Sequence, residues 1–249
     1  TKSTALVSKS LAEVKKSLFS SNEAKRVEAA YLLGEMQSDA AVNVLLEGLT
    51  HAEESVRRSS CYGLKISGSA QANKILRFVD NQRVSVRRLA VYALGESSNG
   101  LNSQVVRALL ATLTEDQDDL VRSNAAYAMG QILRCKDADF SAVIDALIQR
   151  LAPGVEPNNT AVALFPRSTV RQSIAYSLLQ AACNHEFSAA QIEKLLALTL
   201  EDDDRYVQGF AIEITRQNQN LSAKSLDVLL AALSRLRLSP RPAALNSAS

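Results

Sequence analysis

The string Val-Arg, four further residues and then Tyr recurs along this chain, most cleanly as VRRLAVYALGE from Val86 to Glu96. Five of the six tyrosines end a copy: Tyr31, Tyr62, Tyr92, Tyr127 and Tyr176. Five residues before each stands an arginine: Arg26, Arg57, Arg87, Arg122 and Arg171. A sixth, degenerate copy carries Gln208 and Glu213 in those two places. The steps between tyrosines are 31, 30, 35 and 49 residues, and a unit of that length marks a stacked array of repeats rather than one globular core. At 249 residues the chain is long for a single core in any case.

Each unit reads as two helices. The first helix of a pair shows apolar residues at three-and-four spacing over Ala40 to Leu49, Ala70 to Val79, Val105 to Leu113, Ala142 to Leu151 and Ala189 to Leu200. The second helix carries the Val-Arg string. Ser21-Asn22, His51-Ala52, Asn81-Gln82, Asp116-Gln117 and Asp202-Asp203 fall just ahead of second helices, where short polar side chains are expected to cap free N–H groups. Gly34, Gly95 and Gly130 stand three residues after their tyrosines, too early for a C-cap, so close helix packing is the expected reason for them.

With the valine of a second helix as position zero, positions zero, four, seven and eight form one apolar stripe. In the third unit these are Val86, Ala90, Ala93 and Leu94, and this stripe is the expected core. The tyrosine at position six shares a face with positions two and ten, which hold polar residues such as Arg88 and Glu96, Ser123 and Gln131, or Gln172 and Gln180. The rings are thus placed on a half-exposed face, where repeats stacked about 10 Å apart would align them into a ladder. Such a ladder has two uses. It can pack repeat on repeat, worth about 0.5–1.5 kcal/mol per aromatic contact, or it can grip a peptide, a helix or a flat ligand.

The second helices resemble the HEAT-repeat family in its short bacterial form, V-R-x-x-A-x-x-A-L-G. The likeness is closest over Val86 to Gly95 and Val121 to Gly130, good over Val56 to Leu64, and partial in the first, fifth and sixth units. It runs from about Leu11 to Leu238. The resemblance implies an all-α, right-handed α-solenoid of about six helical hairpins over residues 1–238, with first helices on the convex side and second helices on the concave side. It further implies that the arginine after the valine pairs with an aspartate of the preceding turn. Asp118 and Asp204 stand three residues before Val121 and Val207, while Glu53 and Arg83 hold that place in the second and third units.

Residues suited to catalysis are scarce. The two histidines, His51 and His185, lie far apart, and His51 is expected in a turn. Cys183, His185 and Glu186 make half a metal site, with no second cluster to complete four ligands, so neither metal nor cofactor is expected. No phosphate-binding loop, dinucleotide fingerprint or nucleophile elbow is present. The acidic runs Glu115 to Asp119 and Glu201 to Asp204 fit capping of second helices better than calcium binding. Three cysteines without paired spacing point to a reducing compartment, and no apolar run reaches the roughly 20 residues of a membrane helix, so a cytoplasmic location is expected. A chain opening on Thr1 reads as processed or as a piece of something longer.

Two local features stand out. From His51 to Ala90 eight Lys or Arg residues face three acids, and Arg58 and Arg88 at position two flank Tyr62 and Tyr92, which suggests an anion site. The long fifth step holds an insertion at 152–168 with three prolines and the apolar run Ala161 to Phe165, expected to fold back on the groove or engage a partner. A flexible tail or linker is expected at 239–249. The function expected is a non-catalytic scaffold that takes a protein or peptide on a concave surface of Tyr31, Arg58, Tyr62, Arg88, Tyr92, Tyr127 and Tyr176, with Phe165. Phycobilin-lyase-like binding of a tetrapyrrole or other anionic ligand is the alternative. Binding of DNA, as in HEAT-like glycosylases, is disfavoured by the net charge of only +2 and the absence of tryptophan.

Overall fold

The computed structural model describes residues 10–97, 103–136, 139–152, 169–200, 202–218 and 221–238. Among them the chain is all-helical and runs as hairpins in sequence order: α1 (Leu11–Leu18) with α2 (Glu23–Met36), α3 (Asp39–Leu49) with α4 (Glu54–Ile66), and α5 (Ala72–Leu76) with α6 (Val84–Ser97). Then come α7 (Ser103–Glu115) with α8 (Asp119–Ile132), α9 (Ser141–Arg150) with α10 (Val170–Ala182), α11 (Ala189–Thr199) with α12 (Arg205–Gln217), and a trailing helix α13 (Ala223–Leu238). The expected first helices are present, with one difference. Gly68 turns the chain at a φ of 82°, a 3₁₀ turn occupies Ser69–Gln71, and α5 is left with five residues that still bury Ile75, followed by buried Val79. The insertion from residue 153 onward, Phe165 and the tail lie outside the described residues.

The turns inside the first four hairpins and the sixth are built to one plan. The side chain five residues before position zero accepts the N–H of the residue three before it. Asn22 donates to Ser20 Oγ (3.2 Å), Glu53 to His51 Nδ1 (3.1 Å), Arg83 to Asn81 Oδ1 (2.9 Å), Asp118 to Asp116 Oδ1 (2.9 Å) and Asp204 to Asp202 Oδ1 (2.8 Å). His51, Asn81, Asp116 and Asp202 are therefore turn residues. The side-chain caps are Asn22, Asp118, Thr169 and Asp204, which accept N–H groups of the first helical turn.

The arginine at position one then closes that turn. Arg26 Nη1 donates to the carbonyls of Ser20 and Ser21, Arg57 Nη1 to His51 and Ala52, Arg87 Nη1 to Asn81 and Gln82, and Arg122 Nη1 to Asp116. In the fifth hairpin the insertion intervenes, and Arg171 reaches back to the carbonyl of Leu151. In the degenerate sixth copy Gln208 Nε2 donates to the carbonyls of Leu200 and Asp202 (3.2 and 2.6 Å). A neutral amide does the same job, so the constant requirement is donors for buried carbonyls.

Position zero of each second helix from α4 onward is a buried valine, and positions four, seven and eight are buried with it; most are apolar and join one continuous core, while Ser60, Ser177 and Thr215 are buried polar members of the same stripe. Second helices pack on one another more extensively than first helices do, which puts them on the inner side of the curved stack. The glycines at position nine set that contact against position seven of the next second helix. A Cβ on Gly34 would lie 2.6 Å from the Gly63 carbonyl, one on Gly95 2.5 Å from Ala128 Cα, and one on Gly130 2.8 Å from Ser177 Oγ. Gly95→Val is expected to lower stability by about 2–3 kcal/mol through overpacking. Gly209→Ala in α12, where a Cβ meets nothing within 4 Å, is expected to raise it by about 0.5–1 kcal/mol. Urea unfolding of the two variants checks both signs.

Candidate functional site

Five tyrosines share position six, and the stack treats them differently. Tyr92 and Tyr127 stack with centroids 5.9 Å apart and planes at 24°. Tyr127 donates its hydroxyl to Glu96 Oε1 at 2.5 Å, and burial, reinforced by that carboxylate, raises its pKa. Lys65 Nζ completes the group, donating to the Tyr92 hydroxyl and pairing with Glu96, both at 3.2 Å. Burial lowers the Lys65 pKa, but its bonds to Tyr92 and Glu96 outweigh that and leave it raised. Tyr176 packs edge-on against Phe210 at 6.0 Å. Tyr31 and Tyr62 stay 42% and 43% exposed, and neither hydroxyl has a partner among the described residues. Glu35 precedes Tyr62 as Glu96 precedes Tyr127, yet no bond forms. Glu96 is drawn inward by Lys65 from the helix before it, whereas α2 is the first second helix described and no earlier one supplies a cation to Glu35.

The arginine ladder runs the other way from the pairing expected. Arg122 does not pair with Asp118; it pairs with Asp119. Asp118 caps α8 and belongs to the repeat before, accepting Arg88 Nε and Nη2 at 2.9 and 2.5 Å. Two residues upstream, Asp116 accepts Arg87 Nε and Nη2 at 2.7 and 3.0 Å. The same clamp joins the fifth hairpin to the sixth, where Asp202 takes Arg171 and Asp204 Oδ2 takes Gln172 Nε2 at 2.8 Å. Asp-x-Asp in one turn thus holds positions one and two of the preceding second helix.

That rule separates the two arginines assigned to partner binding. Arg88 meets Asp118 and is tied down, and in return holds the Asp118 carboxyl below its usual range. Arg58 finds Arg83 in the place of Asp118, so no carboxylate awaits it in the next repeat. It turns back on its own helix to Glu54 Oε1 (2.6 Å), with 72% of its side chain exposed. Most of the other basic residues from His51 to Ala90 are likewise committed: Arg57 and Arg83 lie on turn carbonyls, Lys74 on Asp39 and Arg87 on Asp116, while Arg77 is exposed.

At position nine, where glycine lets second helices touch, α4 carries Lys65. Helices α4 and α6 pack less extensively than their neighbours α2 and α4 or α6 and α8. A cleft of about 490 Å³ opens between them, lined by Arg58, Cys61, Tyr62 and Lys65 of α4, Ser85, Arg88, Leu89 and Tyr92 of α6, and Leu120 and Asn124 of α8. Its size falls within the range of about 300–1,000 Å³ usual for ligand clefts. Cys61 is no nucleophile there, since it donates to the Leu89 carbonyl and burial pushes its pKa up to about 12. Across the ridge of Arg58 and Tyr62 lies a second depression, of about 660 Å³, between α2 and α4, lined in part by Glu23, Val27, Glu54 and Ser59.

The structure thus brings Arg58, Tyr62, Arg88 and Tyr92 together around one cleft, with Tyr31 one helix away. Tyr127 and Tyr176 sit beyond it in inter-repeat contacts. Lys65 and Asn124, at positions nine and three, stand on the two edges of the face shared by positions two, six and ten and were not among the expected site residues. His185 is a packing residue, with Nε2 2.8 Å from the Leu133 carbonyl and its ring edge-on to Phe140. Among the described residues no cluster of His, Cys, Asp and Glu is placed to hold a metal, and no helix is long and apolar enough to cross a membrane.

Repeated hairpins with this turn and this second helix define a HEAT solenoid. The HEAT-repeat pattern matches residues 11–94 and 75–165, more than half of the chain, and the chain belongs to the HEAT-repeat family. It is 22% identical to an uncharacterized phycocyanin operon protein Z of Pseudanabaena tenuis over 169 residues, covering 66% of this chain and 81% of that one. It is 30% identical to a probable importin subunit beta-4 of Schizosaccharomyces pombe over 86 residues, which cover 32% of this chain and only 8% of the importin. Among solved structures, one engineered protein superposes with a TM-score of 0.53 at 20% identity, covering 92% of this chain and 64% of its own. A second gives 0.52 at 20% identity, covering 89% and 97%. These structural likenesses show the fold.

The clamps and the open ridge have different energetic weight. Arg171→Leu, which strands Asp202 with 3% of its side chain exposed, is expected to cost about 3–5 kcal/mol, whereas Arg58→Ala is expected to change stability by less than about 0.5 kcal/mol. Denaturant unfolding compares them. Because Arg88 depresses the Asp118 pKa, its stabilising effect is fully present above the unfolded carboxyl's pKa of about 3.9 and is lost as pH falls through the folded value. The gap in thermal midpoint between wild type and Arg88→Met is therefore expected to be constant from pH 7 to 5 and to shrink toward pH 2.

Proposed function

We propose that this chain is a non-catalytic binding scaffold that takes a protein or peptide on the second-helix face between α2 and α8. The observation that carries this reading is the split of the tyrosine ladder. Where α6, α8, α10 and α12 meet, tyrosines are spent on contacts between repeats. Tyr31 and Tyr62 remain half-exposed with unpartnered hydroxyls, beside an exposed Val27 and an arginine free to re-pair. Tyrosine and arginine are among the side chains that contribute most at protein interfaces. No group in the cleft supports covalent chemistry. Its cysteine is buried, and its cations Arg58, Lys65 and Arg88 are each matched by a carboxylate, which argues against a site for nucleic acid or another strongly anionic ligand.

A second reading rests on the likeness to the phycocyanin operon protein, and it assigns the cleft to a flat tetrapyrrole held between the Tyr62 and Tyr92 rings. The two readings separate in one set of measurements. Chemical cross-linking in an extract of the source cells, followed by mass spectrometry, is expected to recover a defined partner with wild type and to lose it at least about tenfold with Tyr62→Ala and Arg58→Glu, while the thermal midpoints stay put. Partner recovery unchanged in both variants contradicts the first reading. Visible absorbance gained on mixing the purified chain with a bilin, and lost in Tyr62→Ala, supports the second.

A further inference from the structure

We propose that Tyr31, Glu35 and Tyr62 form a receptor for a lysine side chain of the bound partner, placed on α2 as Lys65 is placed on α6; this rests on the binding-scaffold reading above. The completed form of this receptor stands two hairpins further on. There Lys65 Nζ lies 5.0 Å from the centre of the Tyr92 ring, donates to the Tyr92 hydroxyl and pairs with Glu96, the last two at 3.2 Å. Glu96 in turn accepts the Tyr127 hydroxyl. The receiving groups are thus a tyrosine at position six and a glutamate at position ten of one second helix, with the position-six tyrosine of the next. Tyr31 and Glu35 of α2 and Tyr62 of α4 repeat that set. The frame repeats with it. Gly34 meets Gly63 as Gly95 meets Ala128, with an added Cβ 2.6 and 2.5 Å from the facing backbone, and α2 packs on α4 about as extensively as α6 on α8.

Position ten ties the glutamate to a cation. Across the six second helices it holds Glu35, Ile66, Glu96, Gln131, Gln180 and Gln217. Glu96 receives its lysine from position nine of the helix before. Where glycine holds that position nine, as Gly34, Gly95 and Gly130 do, the residue at position ten of the next helix is Ile66, Gln131 or Gln180. Glu35 is the other acid in the series. No second helix precedes α2 among the described residues, and there Glu35 has neither an ion pair nor a hydrogen bond. The groups select an ammonium ion: a carboxylate, two phenol oxygens and a ring face meet three N–H donors and a positive charge. Tyr31, Glu35 and Tyr62 are all exposed, so an incoming side chain can reach them. Val27, one turn before Tyr31 and also exposed, offers apolar surface to the methylene stem of a lysine. The exposed side chains of α2 include Glu23, Glu28 and Glu35 against Lys25, and Arg58 on α4 is matched by Glu54, so the local potential favours a cation.

The test uses a displayed library of random twelve-residue peptides selected on the full chain. The strongest binder that is lost with Tyr62→Ala is synthesised, and each of its lysines is exchanged in turn for norleucine, which keeps the stem and removes the ammonium ion. One exchange is expected to weaken binding about tenfold or more with wild type and less than about twofold with Glu35→Gln, whose thermal midpoint stays at the wild-type value. Tyr31→Phe is expected to weaken the lysine peptide and to leave the norleucine peptide unchanged. A binder without lysine, or a norleucine loss of the same size in wild type and Glu35→Gln, overturns the lysine assignment, while its dependence on Tyr62 leaves the scaffold reading standing. Recovery of no peptide sensitive to Tyr62→Ala overturns both. Lys2 and Lys9 lie outside the described residues. Binding about tenfold tighter once both are replaced by alanine gives the receptor to the chain's own lysines and overturns its assignment to a partner.

Discussion

Gly95 rests on Ala128, Gly34 on Gly63 and Gly130 on Ser177, with no room in any of the three for a Cβ. That contact, from position nine of one second helix to position seven of the next, fixes how closely the inner helices approach, and the rest of the inner face depends on it. With α6 and α8 in close contact, Tyr92 stacks on Tyr127 and Glu96 comes within 2.5 Å of the Tyr127 hydroxyl. Where α4 puts Lys65 in place of the glycine, the approach is relaxed, the cleft opens, and the lysine is drawn across the gap to Tyr92 and Glu96.

A second constraint acts along the outer rim of the same helices. The described turns present carbonyls that need donors, and the position-one arginine, or Gln208 in its place, supplies them. Once those donors are in position, their spare N–H groups face the next turn. An Asp-x-Asp there links repeats three to four and five to six by bidentate or paired bonds. The link from repeat two to repeat three lacks it, because Asn81 and Arg83 stand in the two aspartate positions. The relaxed helix contact and the missing clamp fall at the same junction. Both therefore leave Arg58 and Tyr62 without a partner from the next repeat at the junction where the cleft opens.

The architecture was legible because every level of the sequence pointed to it: the spacing of the copies, the three-and-four apolar pattern, the buried valine at position zero and the early glycines. The candidate site was legible only in part. Tyr62 and Tyr127 occupy equivalent positions after equivalent glutamates, and their different fates are decided by Lys65, a side chain from one helix further back. Arg58 and Arg88 differ for a reason present in the sequence, Arg83 against Asp118, but the family resemblance ties that aspartate to the arginine of its own repeat rather than to the repeat before it.

The separation of the ladder into spent and free tyrosines is measured most directly by nitration with tetranitromethane under native conditions, with rates for each residue read by mass spectrometry. Tyr31 and Tyr62 are expected to react rapidly, while Tyr92, Tyr127 and Tyr176, held in contacts between repeats, react many times more slowly until the protein is unfolded. Five equal rates, or nitration of Tyr127 as fast as that of Tyr62, would contradict it.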